Sequence, residues 1–238
     1  MNLILLHKED FVDTARVRLG GRRFAHIRNI LSAEQGQQLQ VGLLGGKIGT
    51  GIVTALMQDT VELTIKLEHQ PPQPLPATLI MALPRPKVFR RVLQGVTAMG
   101  VKRIILMNSW RVDKSYWQSP LLTPENLHKQ MLLGLEQARD TLLPNVEIQQ
   151  RFKPFVEDIL PSIVQETCGL VAHPHAAQAC PANLHEAVTL AIGPEGGFTP
   201  YEVEKLEEAG LRPVHLGPRP LRCETAVPAL LGRLQLCL

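Results

Sequence analysis

The first part of the chain alternates apolar and polar residues over short stretches separated by glycines. One intervening stretch, 22–31 (RRFAHIRNIL), has helical spacing instead. Alternation with a period of two predicts half-buried β-strands, and several short strands with glycine turns predict a small barrel or sandwich. Residues 1–70 are therefore predicted to form a β-rich domain with one helix. Its strands are predicted at 14–19 (TARVRL), 38–44 (QLQVGLL), 47–57 (KIGTGIVTALM) and 60–67 (TVELTIKL).

The segment 69–76 (HQPPQPLP) has four prolines in eight residues. Proline has no amide hydrogen and a fixed φ, so this segment cannot be helical and is predicted to be a stiff linker. It marks the boundary between the first domain and a second one, which covers residues 77–238.

After the linker, apolar runs alternate with helical stretches. The clearest helices are predicted from about Lys87 to Met99, ended by Gly100, and from Thr123-Pro124, where threonine caps and proline occupies the first turn. Near-continuous apolar strands that alternate with helices predict an α/β fold with a parallel sheet covered on both faces. The strands are predicted at 78–83 (TLIMAL), 103–108 (RIILMN), 146–149 (VEIQ), 169–173 (GLVAH), 188–192 (VTLAI) and 212–216 (RPVHL).

Composition restricts the class of protein. The chain is 45% hydrophobic and 20% charged, which is ordinary for a globular protein. No apolar stretch has the length of a signal peptide or a membrane span, so no membrane association is expected. Four cysteines without a CxxC pair favour a reducing, cytoplasmic location. They are Cys168, Cys180, Cys223 and Cys237.

Positive charge is concentrated in two blocks, although the net charge is only +3. Residues 14–33 include five arginines and no acidic residue, and residues 69–112 include seven Lys or Arg and again no Asp or Glu. Basic fields attract polyanions through counterion release. Either block alone could be an ordinary solvated face. The two together favour a nucleic acid as partner.

The stretch 190–202 (LAIGPEGGFTPYE) carries the first motif, in which an apolar run ends abruptly in GPEGG at 193–197. Thr199 can cap the helix that follows, Pro200 suits its first turn, and Glu202 stands where a capping box places its carboxylate. The motif is therefore predicted to be a loop at the carboxyl end of a parallel strand, which is where α/β sheets bind ligands.

The GPEGG loop allows two interpretations. Its glycines either serve only a tight turn or let backbone amides approach a ligand closely. The loop lacks the lysine of a phosphate-binding loop, does not match GxGxxG, and carries Glu195, which would repel phosphate. A loop with a carboxylate and free backbone groups suits a ligand that has hydroxyl groups, an adenine edge or a positively charged centre. S-adenosylmethionine fits that description better than ATP.

A second loop, 216–226 (LGPRPLRCETA), follows the next strand and runs into an apolar helix. We expect the two strand exits to lie side by side at the sheet edge and to form one site. Alternatively, Arg222 and Glu224 form a simple ion pair and the helix belongs to the core.

Two further groups of residues are open to interpretation. Trp110, Tyr116 and Trp117 lie close to Arg111 and Lys114, so the aromatic rings could stack on bases or serve as packing anchors. The cysteines and histidines of 168–180 (C-x4-H-x-H-x4-C) do not have the spacing of a zinc site, and no metal is expected.

The two motifs IGPEGGFTPYE and LGPRPLRCETA resemble the signature of the particular bacterial SPOUT methyltransferases that methylate N3 of a uridine in small-subunit (16S) ribosomal RNA. Weaker similarity covers most of the chain. Residues 26–42 resemble the family's PUA-like segment, and residues 79–112 resemble its first βαβ unit. The stretch 134–144 resembles a family helix that carries a Glu-Gln pair and an arginine, here Glu136, Gln137 and Arg139.

This resemblance implies a PUA-like, RNA-binding β-barrel followed by a parallel-sheet domain that ends in a trefoil knot, which is a rare exception to the rule against knots. It also implies a homodimer that binds S-adenosylmethionine in the knot loops and acts on the small ribosomal subunit. The predicted function is methylation of uridine N3 in 16S ribosomal RNA. The alternatives are another RNA position, such as a ribose 2′-hydroxyl, or a non-catalytic RNA-binding or ribosome-assembly protein.

Motif positions imply three sets of site residues. Arg222 is the expected cation and Glu224 the expected carboxylate in catalysis. Cofactor contacts are expected from His173, Pro174, Gly193, Pro194, Glu195, Gly196, Gly197, Leu216, Gly217, Leu221, Arg222, Cys223, Thr225 and Ala226. Phosphate contacts are expected from Arg22, Arg23, Arg28, Arg85, Lys87, Arg90 and Arg91.

Overall fold

The computed structural model describes residues 2–234, which divide into two compact units. The first unit comprises the chain up to Pro72 together with Leu132–Leu143. The second comprises Gln73–Met131 and the chain from Pro144 onward. Among the described residues, no helix is long and apolar enough to cross a membrane.

The first unit is built on a five-stranded sheet with the order β1-β3-β4-β5-β2. Neighbouring strands are antiparallel except β1, which pairs in parallel with β3. The four strands and the helix predicted from sequence are confirmed, and β1 was missed because its continuous apolar run has no alternation. The elements are β1 (Ile4–Leu6), β2 (Arg16–Gly20), α1 (Gly21–Asn29), β3 (Gln38–Leu43), β4 (Ile48–Leu56) and β5 (Thr60–His69).

A close backbone approach between β4 and β5 explains why residue 49 is a glycine. The register shifts between Ile48 and Gly49, and a Cβ atom at Gly49 would overlap the carbonyl oxygen of Lys66 on the neighbouring strand. Only glycine fits at this irregularity.

The segment Leu132–Leu143 completes the core of the first unit. Leu135 is fully buried in a cluster with Leu3 and Leu5. The carboxylate of Glu136, which is 3% exposed, accepts two hydrogen bonds from the Arg22 guanidinium at 2.9 and 2.5 Å. Its backbone carbonyl also accepts from the amides of Asn2 and Leu3, at 3.0 Å each.

The second unit is built on a seven-stranded sheet in which every pair of neighbours is parallel, as predicted. Its strands are β6 (Leu75–Ala82), β7 (Val101–Met107), β8 (Asn145–Gln149), β9 (Cys168–Ala172), β10 (Gln178–Ala179), β11 (Val188–Ile192) and β12 (Arg212–His215). Its helices are α2 (Pro86–Ala98), the first part of α3 (Pro124–Ala138, of which the residues from Leu132 onward belong to the first unit), α4 (Phe152–Pro154), α5 (Leu160–Val164), α6 (Pro200–Glu208) and α7 (Cys223–Leu234), and a π-helical turn joins α4 to α5.

The strand order of this sheet, β10-β12-β9-β11-β6-β7-β8, reverses direction at β9. From β9 the chain passes to the edge strand β10, crosses back to β11 on the other side of β9, and then returns to β12, which lies between β10 and β9. Ligands of open α/β sheets bind outside the carboxyl ends of the strands at such switch points. The topology therefore places a candidate site above β9.

Candidate active site

A cavity of about 590 Å³ opens at the carboxyl ends of β9, β11 and β12, within the second unit. Its apolar walls include Ile192, Phe198, Val214 and Leu230. Most of the residues proposed from sequence to bind a cofactor line it: His173, Pro174, Gly193, Pro194, Glu195, Gly196, Gly197, Leu216, Gly217, Leu221, Cys223 and Ala226.

The two motif loops converge on the cavity, as expected, but the strands that lead into them are not neighbours in the sheet, so the expected adjacency of the two strand exits is wrong. β9 pairs with both β11 and β12 and separates them. The exit of β9, at His173, accordingly lies between the two motif loops and contributes to the same cavity. Three loops meet there because the strand order reverses around β9.

The GPEGG loop at 193–197 is a tight turn fixed at several points. The amide of Gly197 donates to the carbonyl of Pro194 at 2.8 Å, with Gly197 at a φ of +71°. Glu195 accepts a hydrogen bond from the amide of Arg85 at 2.9 Å, at the start of α2. The Arg111 guanidinium donates to the carbonyl oxygen of Gly196. The glycines thus serve a turn, and the same turn forms a cavity wall.

The start of α6 confirms the capping box predicted from sequence. Thr199 Oγ1 accepts from the Glu202 amide at 3.3 Å, and Glu202 Oε2 accepts from the Thr199 amide at 2.8 Å. The other carboxylate oxygen of Glu202 accepts from the Trp110 amide at 2.6 Å. Glu202, only 3% exposed, therefore joins the helix after the GPEGG loop to the segment that follows β7.

We predict that Glu202→Ala lowers the free energy of unfolding by about 2–4 kcal/mol, because it removes a buried carboxylate that accepts hydrogen bonds from the amides of Thr199 and Trp110. Urea denaturation measures the change. Glu204→Ala, an exposed site on the same helix, is the control and should change stability by less than about 0.5 kcal/mol. Equal effects of the two substitutions would show that Glu202 has no special structural role.

The second motif loop is shaped around His215 and Gly217. The amide of Gly217 donates to Nδ1 of His215 at 2.9 Å, and Gly217 has a φ of +117°, where residues with a Cβ are strained. This contact fixes the ring orientation of His215, which also lines the cavity.

Cys223 links the two motif loops, since its thiol donates to the carbonyl of Gly193 at 3.4 Å. Burial, followed by the charges of Glu195 and Glu224, raises the pKa of this thiol to about 11. Cys223 is therefore a neutral thiol near pH 7 and serves as a wall of the cavity and not as a nucleophile.

The pKa of His173, at the exit of β9, lies below its usual value. Burial is the largest cause, and the nearby His175 adds to it, against a smaller opposite effect of Glu207. The imidazole of His173 is therefore neutral at pH 7 and can both donate and accept a hydrogen bond in the cavity.

Arg222, Glu224 and Thr225 do not line the cavity, although they are close to it at the start of α7. The carbonyl of Arg222 accepts from the amides of Thr225 and Ala226, at 2.9 and 2.8 Å, in the first turn. The Arg222 side chain is exposed, and among residues 2–234 it has no ion-pair partner. Glu224 is half-buried. The two side chains do not pair with each other, contrary to the simple ion-pair alternative.

Sequence reasoning missed several cavity residues. Arg111 and Arg219 both line it, as do His175 and His215. Arg111 follows β7, and the rule that ligands bind at strand exits could have identified it. Arg219 lies within the second motif itself.

The arginines of the first basic block are mostly paired with acidic residues. Arg23 donates to both carboxylate oxygens of Asp10, and Arg22 pairs with Glu136. Arg28 instead donates to the carbonyl of Gln58 at 3.1 Å and lies over the Phe24 ring. This pairing offsets much of the positive charge expected of the block.

Four cations of the second basic block lie at the start of α2 or within it and form the α2 group. They are Arg85, Lys87, Arg90 and Arg91, and all four side chains are exposed. Among the described residues, none of their side chains has a carboxylate partner. Phosphate contacts are thus better supported for these four side chains than for Arg22 and Arg23.

The cysteines and histidines of 168–180 do not converge. Arg212 donates to the sulfur of Cys168 at 3.2 Å, and Cys180 is buried beside Arg233, whose Nε donates to the Cys180 carbonyl at 2.6 Å. Within residues 2–234 no group of three possible metal ligands comes together. Cys168, Cys180 and Cys223 are free thiols, and Cys237 lies outside the described residues.

Comparisons with known proteins identify relatives of the chain. A family model described as an RNA methyltransferase domain matches residues 71–235. The ribosomal RNA small subunit methyltransferase E of Treponema pallidum is 30% identical over 96% of this chain and 88% of its own length.

Two solved structures share the fold. One is the ribosomal RNA small subunit methyltransferase E from Neisseria gonorrhoeae bound to S-adenosyl methionine, with a TM-score of 0.76 and 22% identity over 99% of this chain and 97% of that one. The other is a putative methyltransferase from Legionella pneumophila in complex with the same cofactor. Its TM-score is 0.74 and its identity 24%, over 99% of this chain and 98% of that one.

Proposed function

This chain belongs to the ribosomal RNA small subunit methyltransferase E family, and on that premise we propose that it transfers a methyl group from S-adenosylmethionine to N3 of a uridine in 16S ribosomal RNA. The observation that carries the proposal is the convergence of both motif loops on one cavity at the switch point of the sheet.

The cavity suits the cofactor in size and chemistry. Its volume of about 590 Å³ falls within the usual range for small-molecule sites, about 300–1,000 Å³. Apolar side chains such as Ile192 and Leu230 can cover an adenine face, and the backbone of 193–197 and the neutral His173 offer hydrogen bonds to its polar edges. The remaining proposed contacts, from Arg222 and Thr225, come from the adjoining first turn of α7.

S-adenosylmethionine supplies a methyl group on a sulfonium, and the chain must hold a uracil in line with it. Positioning of the two reactants then supplies much of the rate. Uracil N3 also loses a proton, so negative charge develops on the base. We propose that Arg222 stabilises that charge or orients a phosphate of the target nucleotide, and that Glu224 accepts the proton.

The α2 group is proposed to contact RNA phosphates, together with Arg28, Arg22 and Arg23 of the first unit. Contacts of this kind position the RNA without reading its sequence. Exposed cations without carboxylate partners favour this role for the α2 group in particular.

We predict that changing Lys87, Arg90 and Arg91 together to glutamate weakens RNA affinity by about 10- to 100-fold near 0.1 M salt and flattens its salt dependence. Fluorescence anisotropy of labelled 16S RNA fragments over a salt series measures both. The same reversal at Lys129, Arg151 and Lys153, which are also exposed, controls for net charge. Equal losses in the two variants would refute a local contact.

The finer features of the fold are also proposals. We propose that residues 1–70, completed by the segment Leu132–Leu143, form a PUA-like barrel that binds RNA and that the rest of 77–238 forms the methyltransferase domain with a trefoil knot. Support for the knot comes from the loop between β10 and β11. Its Leu184 amide donates to the carbonyl of Leu234 at 3.0 Å, and Arg233 of α7 donates to its Cys180 carbonyl. The end of α7 is thus held by a loop that precedes it by two strands.

We further propose a homodimer in the cytoplasm, following the family resemblance. The free cysteines are in keeping with a reducing compartment. Sedimentation equilibrium tests the dimer, and a monomer at all concentrations would exclude it.

The function is tested with purified protein, labelled S-adenosylmethionine and small ribosomal subunits that lack the modification. Digestion to nucleosides and mass spectrometry should reveal 3-methyluridine. Methyl on a ribose hydroxyl would instead support the alternative of another RNA position. RNA binding without any methyl transfer would support a non-catalytic protein.

A further inference from the structure

Trp110 is the most exposed of the large hydrophobic side chains described, with 84% of its surface accessible. It lies immediately before Arg111, which lines the cavity, and between two buried residues, Ser109 and Val112. A single exposed apolar side chain needs no explanation by itself. Its position next to a cavity-lining residue and the hydrogen bond of its amide to Glu202 set Trp110 apart.

Hydrogen bonds hold the segment around Trp110 to the GPEGG loop and to the helix that follows that loop. The Trp110 amide donates to the buried carboxylate of Glu202 at 2.6 Å. The next side chain, Arg111, donates to the carbonyl of Gly196 in the GPEGG loop. The Val112 amide closes the turn by donating to the Ser109 carbonyl at 3.1 Å. Trp110 is thus presented to solvent by an ordered segment, which lowers the entropy lost when a ligand binds.

The other two aromatic residues of this region are anchored in the protein. Trp117 is half-buried and donates from its ring nitrogen to Asn108 Oδ1 at 3.0 Å. Tyr116 is half-buried in a crevice shared with Leu83 and Phe89. These contacts assign packing roles to Tyr116 and Trp117, and they leave Trp110 as the aromatic face open to a ligand.

The charges around Trp110 favour a nucleic acid over a second protein surface. Arg111 is exposed and bonds to a carbonyl rather than a carboxylate, so its positive charge is not offset locally. Lys114 is exposed as well, while the nearby Asp113 accepts hydrogen bonds from Ser115. Protein interfaces are enriched in tryptophan and arginine but depleted of lysine, so Lys114 is the residue that disfavours a protein surface here. An aromatic ring flanked by cations is instead the usual platform for single-stranded RNA.

We propose that Trp110 stacks on a base of the RNA substrate at the mouth of the cavity, with Arg111 beside the phosphate backbone. This inference rests on the proposed function and identifies a residue that positions the RNA. Stacking holds an unpaired stretch of RNA against the rim, so that the target uracil can enter.

The chain has two tryptophans, so Trp117→Phe makes a full-length protein whose fluorescence comes from Trp110 alone. A short oligouridylate is added to this variant, and the probe for comparison is an abasic oligoribonucleotide of the same length. The base-containing oligomer should quench Trp110 fluorescence, and the abasic one should not. Two results would overturn the proposal. One is equal quenching by both oligomers, and the other is no quenching by the oligouridylate although fluorescence anisotropy shows that it binds.

Trp110→Ala should raise KM for the RNA by about 10- to 100-fold, the range measured when one stacking residue is removed. The kcat and the affinity for S-adenosylmethionine should stay within about twofold, since Trp110 does not line the cavity. Trp110→Phe should restore most of the loss. An unchanged KM in Trp110→Ala refutes the inference. Dissociation of a dimer in this variant also refutes it, because that result would assign Trp110 to an interface between copies of the chain.

The two proposals fail in distinguishable ways. If the unaltered protein transfers no methyl group to RNA, the proposed function fails, and the quenching experiment still reports on stacking. If the unaltered protein methylates RNA and Trp110→Ala does so with the same KM, only the stacking role is wrong.

Discussion

Arg222→Ala is expected to reduce kcat for methyl transfer to 16S ribosomal RNA by about 100- to 1,000-fold, the usual cost of removing one group that stabilises charge in a transition state. The affinity for S-adenosylmethionine should change little, because the cofactor contact proposed for Arg222 comes from its backbone in the first turn of α7, whereas its side chain is exposed and lies outside the cavity lining. Single-turnover kinetics with labelled cofactor measures the rate, and calorimetry measures the affinity.

The division of the effect between kcat and KM separates the two roles proposed for Arg222. A loss mainly in kcat means that it stabilises charge on the base, and a loss mainly in KM means that it orients a phosphate. Arg151→Ala removes an exposed arginine at the start of α4 and should leave both constants unchanged. Full activity of Arg222→Ala would remove this residue from the mechanism. Glu224→Gln, which cannot take up the proton, tests the acceptor in the same assay.

Gly193→Val is expected to weaken S-adenosylmethionine binding by more than about 100-fold. A Cβ atom at Gly193 would lie 3.1 Å from the Phe198 amide nitrogen and 3.2 Å from its ring. The branched side chain would have to displace Phe198 or the turn at 196–197, and all of these residues line the cavity. Isothermal titration calorimetry with the cofactor measures the loss.

Gly95→Ala is the matched control for this substitution. Gly95 lies within α2, is exposed and has open space where a Cβ would be. Alanine there should stabilise the helix slightly, by up to about 1 kcal/mol, without affecting the cofactor. Thermal melts of both variants separate a blocked cavity from an unfolded protein. A folded Gly193→Val protein that binds normally would mean that the cofactor does not occupy this cavity.

Local signals in the sequence predicted most elements of the second unit. The strand β11 has the bounds that its apolar run indicates, and α6 begins with the predicted capping box of Thr199 and Glu202. Such features depend on residues within a few positions of one another, so sequence alone determines them. β1 was missed because three consecutive apolar residues give no periodic signal.

Features that depend on distant residues could not be predicted in this way. Arg22 pairs with Glu136 across 114 positions, and Arg18 with Glu62 across 44. Because of such partners, most arginines of the basic block at residues 14–33 form ion pairs in the folded protein. The placement of β12 beyond β9 likewise follows from packing of the whole sheet, and it corrected the expected arrangement of the two motif loops. Most cavity residues of the two motifs were found, but Arg219 within the second motif was not, and neither was Arg111 from a separate strand exit.

Leu132–Leu143 belongs to the first unit, although β6 and β7 of the second unit precede it in the chain. During synthesis on a ribosome, the N-terminal sheet therefore cannot bury Leu3 and Leu5 fully until β6, β7 and α3 have emerged. A gene truncated after Pro72 would encode a sheet with an exposed apolar surface and an Arg22 that has lost its carboxylate. An autonomous N-terminal module would have to carry this helical segment, fused through an engineered connection.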